Sequence, residues 1–372
     1  MSIASEPKGD VLWVTNNAPP YRRPVWRSLA AALNLEVLLL ATDEGLTREV
    51  RRGDDWFAAG LTAEKTFMHR VARTVRLSRG ERTYFILRES ARALTRGRSA
   101  ILLGGWESPA YWQLLWSAPT ESRLVGFYES TLASNRYTSG PIAWARGHFY
   151  RRMDAVVVPG PAAAAAVRSM GVAERRIFVG FNAVDIAPFL AVARSGSSAR
   201  PGQHRYIYVG QLIERKNVDG LIEAFARVSA GTGDELTIVG DGDQRSALES
   251  LASRLGVSSA VRFAGSLPNS QLPALLAQAD TLVLPSKEEV WGLVVNEALA
   301  AGCQVVVSEH AGVAASVVDM PGVFATRVEV EELILSMRAA RRDYVGRFAS
   351  PQIAAHTPES FASTFRKALD VS

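Results

Sequence analysis

The sequence predicts an α/β protein built from two doubly wound domains. Three observations carry that expectation. A chain of 372 residues is too long for one ordinary core and suits two α/β domains of about 150–200 residues each. Short apolar runs alternate with helical stretches along both halves, the βαβ pattern of a parallel sheet. The stretch from Glu289 to Gly302, Glu-Val-Trp-Gly-Leu-Val-Val-Asn-Glu-Ala-Leu-Ala-Ala-Gly, reads as a turn that opens a helix directly behind a buried strand.

That last stretch organises the rest. Asp280 to Leu284 forms the strand and Pro285-Ser286 breaks it. Leu293 to Ala301 is rich in helix formers, and Gly302 is a natural residue just past a helix end. Such a turn lies at the carboxyl edge of a sheet, where open α/β folds bind ligands. The amides of Gly292, Leu293 and Val294 are the first donors of the helix and make an anion site. Glu289 and Glu297 bracket it, and their carboxylates suit a ligand that carries hydroxyls as well as phosphate. Acids favoured at a helix start by the macrodipole fit the same spacing.

Composition narrows the classes. Apolar residues at 48% and charged residues at 21% are ordinary for a globular protein. The single cysteine, Cys303, excludes an internal disulfide and a cysteine zinc cluster and fits a reducing compartment. The five histidines are scattered without ligand spacing. Met1 to Asp10 lacks the apolar core of a signal peptide, and no run approaches the ~18–20 apolar residues of a membrane span. A cytoplasmic protein is expected. The net charge of +5 is uneven: nine arginines lie between Arg70 and Arg98 against Glu81 and Glu89. A solvated helical face is the plain reading of that stretch, and peripheral contact with the inner membrane face or an anionic substrate is the functional one. Nucleic acid is not an expected partner, since no recognised binding module accompanies the charge.

In the first half, Val11 to Asn16 is a strand, Asn17 to Pro20 a turn, and Tyr21 to Leu33 helical. A first strand–turn–helix usually faces the ligand cleft, so Asn16, Asn17, Tyr21 and Arg22 are candidate contacts for an acceptor or for a pyrophosphate. Further strands run Leu35 to Thr42, Ala100 to Gly105, Arg123 to Tyr128, Ala155 to Pro159 and Ile177 to Phe181. Helices are expected over Pro109 to Ser117, Pro141 to Arg152 and Pro161 to Met170. Trp106, with Glu107 and Ser108, follows a strand end, and Tyr128 and Glu129 follow another; Trp106 and Tyr128 join the acceptor candidates. Trp106, Tyr111, Trp112 and Trp116 also fit a core stripe at helical offsets.

In the second half, Tyr206 to Gly210, Leu236 to Gly240, Val261 to Leu267 and Gln304 to Ser308 are strands. Val218 to Ala230, Gln244 to Leu255 and Asn269 to Ala279 are helices, and Pro358 to Leu369 is an amphipathic one. Ala191 to His204, rich in Ser, Gly, Arg and Pro, reads as a flexible surface segment. Gly240-Asp241-Gly242 does not continue into a dinucleotide fingerprint, because Arg245 holds the third glycine position. Asp241 and Asp243 have the spacing of a metal pair. His310 reads as structural or solvated.

Glu289-x7-Glu297 followed by Ala-Leu-Ala-Ala-Gly resembles the signature of the retaining nucleotide-sugar glycosyltransferases of family 4, which have the two-domain GT-B fold. The resemblance covers most of the second half and is weak in the first. It implies two Rossmann-like domains facing each other across a cleft. Residues 1–185, with 352–372 packing back on them, would form the acceptor side and 186–351 the donor side. Asn182-Ala-Val-Asp185 resembles the family's Asn-Gly-Val-Asp at that border.

Carried over residue by residue, the resemblance implies that Lys216 holds the donor diphosphate together with the amides of Gly292 and Leu293. Glu289 then binds the transferred sugar and Glu297 the ribose. Gly210, Gln211, Arg215, Gly240, Ser266, Leu267, Val290 and Trp291 complete the donor surroundings, with the backbone of Ser266 and Leu267 at the nucleobase. Three departures stand out. Gln211 replaces the family arginine, Glu129 stands where many relatives have histidine, and Pro19-Pro20 replaces a glycine-rich loop. No cofactor or metal is implied, and Gly-Asp-Gly is a tight turn near the donor. The expected function is transfer of a sugar from a nucleoside-diphosphate sugar to an acceptor small molecule, lipid or glycan, with Glu289, Lys216 and Glu129 catalytic. A nucleotide-sugar epimerase and a non-catalytic nucleotide-sugar binder are the alternatives. Alanine at Lys216 or Glu289 is expected to lower transfer while leaving thermal unfolding nearly unchanged.

Overall fold

The computed structural model describes residues 10–41, 64–79, 82–194 and 202–370. It divides into two compact units, Met1–Ala183 with Pro358–Ser372 and Val184–Thr357.

The first unit is a parallel sheet of seven strands. In chain order they are β1 (Asp10–Thr15), β2 (Asn34–Leu39), β3 (Met68–Val71), β6 (Ala100–Leu103), β7 (Arg123–Phe127), β8 (Ala155–Pro159) and β9 (Ile177–Gly180). The spatial order is β3-β2-β1-β6-β7-β8-β9, so the direction of winding reverses between β1 and β6. The two-residue period of a strand decides which core each side chain enters. Leu12 and Val14 point into one buried cluster, while Val11 and Trp13 point into the other. The helix Pro358–Leu369 closes the second cluster with Phe361, Phe365 and Leu369, four residues apart on one face. Phe365 lies 4.7 Å from Trp13 and 5.3 Å from Phe127, ring centre to ring centre.

The arginine-rich stretch corrects the expectation of a helical face. It holds β3 and an antiparallel hairpin, β4 (Thr74–Arg79) with β5 (Arg82–Leu87). The cue lay in Thr83-Tyr84-Phe85-Ile86-Leu87, β-branched and aromatic residues in alternation, of which Phe85 and Leu87 are buried. Part of its charge is spent internally. Arg70 donates to Glu36 at 2.8 Å and to Glu89 at 3.0 Å, and Arg98 also pairs with Glu36.

The second unit is a six-stranded parallel sheet. Its strands are β10 (Arg205–Val209), β11 (Glu235–Val239), β12 (Val261–Gly265), β13 (Thr281–Leu284), β14 (Gln304–Ser308) and β15 (Val323–Thr326), ordered β12-β11-β10-β13-β14-β15. The reversal falls between β10 and β13. Two elements depart from the expected layout. Ala187–Arg194 is a helix that occupies the start of the segment read as flexible. At its end, His204 is only 3% exposed and is bonded through its backbone N–H to Asp234 and through its ring to Thr281; the rest of that segment, 195–201, lies outside the described residues. The helix Val330–Arg342 packs on this sheet through Leu333, Ile334 and Met337.

Candidate functional site

The organising stretch lies at the reversal point of the second sheet. β13 ends at Leu284, and the chain passes through Glu289 to Gly292 before the helix Leu293–Ala300 begins. Gly292 makes this turn possible. Its φ is +97°, a left-handed backbone that side chains with a Cβ disfavour, and a Cβ there would stand 2.8 Å from Leu284 Cδ2. The amides of Leu293 and Val294 have no acceptor within the helix, so the positive end of the macrodipole faces this turn.

The neighbouring strand β10 feeds the same edge. A short 3-10 turn, Glu214–Lys216, brings Lys216 back beneath the turn after β13, where its Nζ forms an ion pair with Glu289. Both side chains are largely buried, at 10% and 15% exposure. Asn217 fixes the geometry. It adopts a left-handed φ of 56°, and its side-chain amide donates to the carbonyls of Pro285 at 3.2 Å and Val328 at 2.9 Å. The exposed Arg215 donates to the Glu288 carbonyl at 3.2 Å and accepts the Lys287 amide on its own carbonyl at 2.8 Å.

Three strand ends meet at glycines. The Gly210 amide donates to the Val239 carbonyl, and the Gly240 amide to the Gly265 carbonyl at 2.8 Å. A Cβ on Gly240 would lie 1.8 Å from the Gly210 carbonyl oxygen, and one on Gly242 would lie 2.2 Å from the Leu212 carbonyl oxygen. Gly240 and Gly242 therefore make room for backbone, and Gly210 for the Tyr208 phenol, whose oxygen a Cβ there would meet at 2.7 Å. Gln211 sits at this edge with its carbonyl accepting the Tyr208 hydroxyl at 2.9 Å. Ser266 is exposed and Leu267 half-buried just past β12.

Glu297 is half-buried, no protein donor satisfies it among the described residues, and burial pushes its carboxyl up to about 8. A carboxyl so placed gains from a hydroxyl-bearing ligand. Val290 is half-buried. Of Trp291 only the backbone is left to face a donor: the indole is 3% exposed and donates to Asn296 at 3.2 Å, so it packs the turn from within. His310 is exposed, with Nδ1 2.9 Å from the Lys287 carbonyl. Asp241 accepts the amide of Gly242, and no group of three His, Cys, Asp or Glu is placed to hold a metal among the described residues.

In the first unit the expected acceptor residues fall into two groups. At the reversal point, Asn16 past β1 donates to Glu107 past β6 at 3.0 Å and accepts the Tyr111 hydroxyl at 2.9 Å. Trp106 is half-buried beside them, its amide donating to Glu107. The second group lies further along the sheet. Arg22 is buried at 3% exposure and donates to Glu129 at 2.8 Å, with its guanidinium 4.6 Å from the Phe127 ring centre. Arg22 thus faces inward, not toward a surface loop, and Tyr21 is half-buried next to it, 5.4 Å from the same guanidinium. Glu129 also accepts from Asn182 at 3.3 Å. The loop Ser134-Asn135-Arg136 is held by other residues, Thr131 with Ser134 and Tyr128 with Asn135, the latter at 2.6 Å. Tyr128 is itself buried, and burial raises its phenol above the ordinary range.

Sequence reasoning overlooked Asn217 and Arg146. A non-glycine residue in left-handed backbone leaves no mark on hydrophobic periodicity. Arg146 was absorbed into an expected helix, although an arginine on the inward face of Gly140–Arg151 was the available signal.

Two doubly wound parallel sheets in one chain, the second with a helix N-terminus at its reversal point, define a GT-B type protein. Residues 193–344 match the family described as "Glycosyl transferases group 1". The chain is 37% identical over 164 residues to a glycogen synthase of Mycobacterium tuberculosis, covering 44% of this chain and 39% of the relative. It is 33% identical over 195 residues to the lipopolysaccharide core biosynthesis glycosyltransferase LpsE of Rhizobium meliloti, covering 52% and 55%. The chain thus spans about half or less of the length of these relatives. The fold matches the lipopolysaccharide outer core galactosyltransferase WaaB at a TM-score of 0.70 and 14% identity, over 97% of this chain and 99% of that one. It matches Anabaena HepE, solved with UDP and glucose, at 0.71 and 18% identity over the same shares. The match to the group 1 glycosyl transferases thus lies within the second unit, and the chain has the GT-B fold.

Proposed function

We propose that this protein is a retaining glycosyltransferase that moves a sugar from a nucleoside-diphosphate sugar to an acceptor hydroxyl without a metal ion. One observation carries the reading. Lys216, Glu289, the amide end at Gly292 and Leu293, and the unsatisfied carboxyl of Glu297 all gather at the carboxyl ends of β10 and β13. In this reading the Lys216 ammonium and the helix amides hold the diphosphate as charge develops on the leaving group. The Glu289 carboxylate, oriented by Lys216, accepts hydrogen bonds from the transferred sugar and offsets positive charge at its anomeric carbon. Glu297 meets the ribose hydroxyls. The acceptor attacks on the face the diphosphate leaves, a leaving phosphate oxygen takes its proton, and no dedicated base is needed. Glu129, tied to Arg22, has the carboxylate to orient an acceptor hydroxyl.

The named activities of the relatives, together with the UDP in the HepE structure, make uridine nucleotides the first donors to try. Thermal unfolding with UDP, ADP and GDP and their glucose conjugates, in EDTA and in magnesium, tests the donor site, because a ligand bound only to the folded state raises its stability. The reading expects a shift with one base that EDTA leaves in place, and an α-linked product when that α-linked donor meets an acceptor. A donor that changes its sugar with no acceptor present points to the epimerase instead. Among the described residues no helix is long and apolar enough to cross a membrane. If the acceptor is lipid-linked, arginines of the Arg70–Arg98 stretch supply the peripheral contact, which sedimentation with anionic vesicles tests.

A further inference from the structure

The first unit contains a cavity of about 640 Å³, walled on one side by Thr83 and Tyr84 of the hairpin and on another by the helix Gly140–Arg151. Its size is that of a small-ligand site. The rings of Trp106, Trp112 and Tyr128 line it, offering faces on which a sugar ring can pack.

Arg146 sets its chemistry. The residue is 8% exposed and lines the cavity. Its Nη1 donates to Asn135 at 3.1 Å, its Nη2 to the Tyr137 carbonyl at 2.7 Å, and its guanidinium stands 5.8 Å from the Trp106 ring centre. Its Nε is buried with no acceptor, and no carboxylate pairs with it among the described residues. The acid that shares the cavity, Glu107, is engaged elsewhere, by Asn16 and by the Trp106 amide. An unpaired, largely buried cation is costly, and the neutral oxygens of Asn135 and Tyr137 offset only part of that. A ligand that brings an anion supplies the rest.

We propose that this cavity binds an acidic acceptor, a sugar carrying a phosphate or carboxylate that seats on Arg146 while the ring packs against Trp106 and its neighbours. The proposal rests on the reading of the first unit as the acceptor side. Whether the anion belongs to a soluble glycosyl phosphate or to a lipid-linked one, the chemistry at Arg146 is the same.

Tryptophan fluorescence of the full chain reads the test, with glucose 1-phosphate, glucuronate and methyl glucoside as soluble probes. Neutral phosphatidylcholine vesicles with and without a polyprenyl-phosphate sugar form the lipid arm. At least one anionic probe should bind about tenfold or more tighter than methyl glucoside, with a preference that added salt weakens. Arg146→Gln should abolish that preference and Arg146→Lys should keep part of it. Binding of the soluble phosphate assigns a free acceptor, and binding confined to the loaded vesicles assigns a lipid-linked one. Equal binding of the neutral glucoside, no binding of any probe, or an intact preference in Arg146→Gln overturns the proposal. Should Arg146→Gln not fold, the salt dependence in the unaltered protein decides alone. Titration of the same samples with UDP, ADP and GDP reads the second unit separately. No binding of any of the three with the anion preference intact sinks only the transferase reading, and nucleotide binding with that preference absent sinks only this inference.

Discussion

Lys216 and Glu289 are bound to each other across 73 positions of the chain, joining the loop after β10 to the loop after β13. The pair holds both proposed contacts of the donor in one place before any donor arrives, so neither side chain must be ordered during binding. It also links function to stability.

Removing either partner leaves the other charge mostly buried and uncompensated, which typically costs about 3–5 kcal/mol. Lys216→Ala and Glu289→Ala should therefore each lower the urea midpoint markedly, contrary to the near-unchanged unfolding expected from sequence. The double variant should recover part of the loss. Transfer should stay low in all three. A double variant no more stable than the sum of the singles predicts would show that the pair is not coupled.

Gly240 is a tight backbone crossing in the second unit. Its φ is +133°, and an added Cβ would stand only 1.8 Å from the Gly210 oxygen, which leaves no room for alanine. Gly240→Ala should cost roughly 1–3 kcal/mol in backbone strain alone and more through the clash. Denaturant titration measures the cost, and nucleotide binding should weaken with it, since β10 and β11 end beside the proposed donor site. An unchanged midpoint would mean the crossing yields easily.

Glu297 and His204 give stability opposite pH slopes. Burial pushes the Glu297 carboxyl from 4.5 up to about 8, so the folded chain keeps a proton that the unfolded chain releases, and stability falls as pH climbs between those values. Burial lowers His204 from 6.5 to about 4, against the pull of Asp280 and Asp234, so its contribution is lost as pH falls through that window. From 6.5 to about 8 the Glu297 slope acts without the histidine. Glu297→Gln should flatten the loss of stability across that range, and His204→Gln should not. The same slope in Glu297→Gln would remove the carboxyl as its source.

Glu129 neutralises the buried Arg22. Glu129→Gln should destabilise the first unit by roughly 3 kcal/mol, and adding Arg22→Met should restore much of that by removing the stranded cation. If Glu129 also orients the acceptor, kcat stays low in the restored double variant. Recovery of kcat together with stability would make the carboxylate purely structural.

Much of this was legible in the sequence because it is periodic or local. The strands Gln304–Ser308 and Ala155–Pro159 and the helix Pro109–Ser117 follow from apolar runs and flanking breakers. The hairpin Thr74–Leu87 was not legible, since its arginines outweighed a five-residue alternation when charge was counted first. Ala187–Arg194 was hidden by the polar composition of the residues that follow it.

The sequence by itself determined two parallel α/β units, the turn at Gly292 and the family likeness carried by Glu289 and Glu297, because strand period, helix propensity and backbone sterics act within a few residues. Only the tertiary structure decided that Lys216 meets Glu289, that Arg22 is spent on Glu129, and that Arg146 stands unpaired in a cavity. Those facts depend on which strand ends lie side by side. The order of strands across a sheet is fixed by packing between distant segments, which no local pattern records.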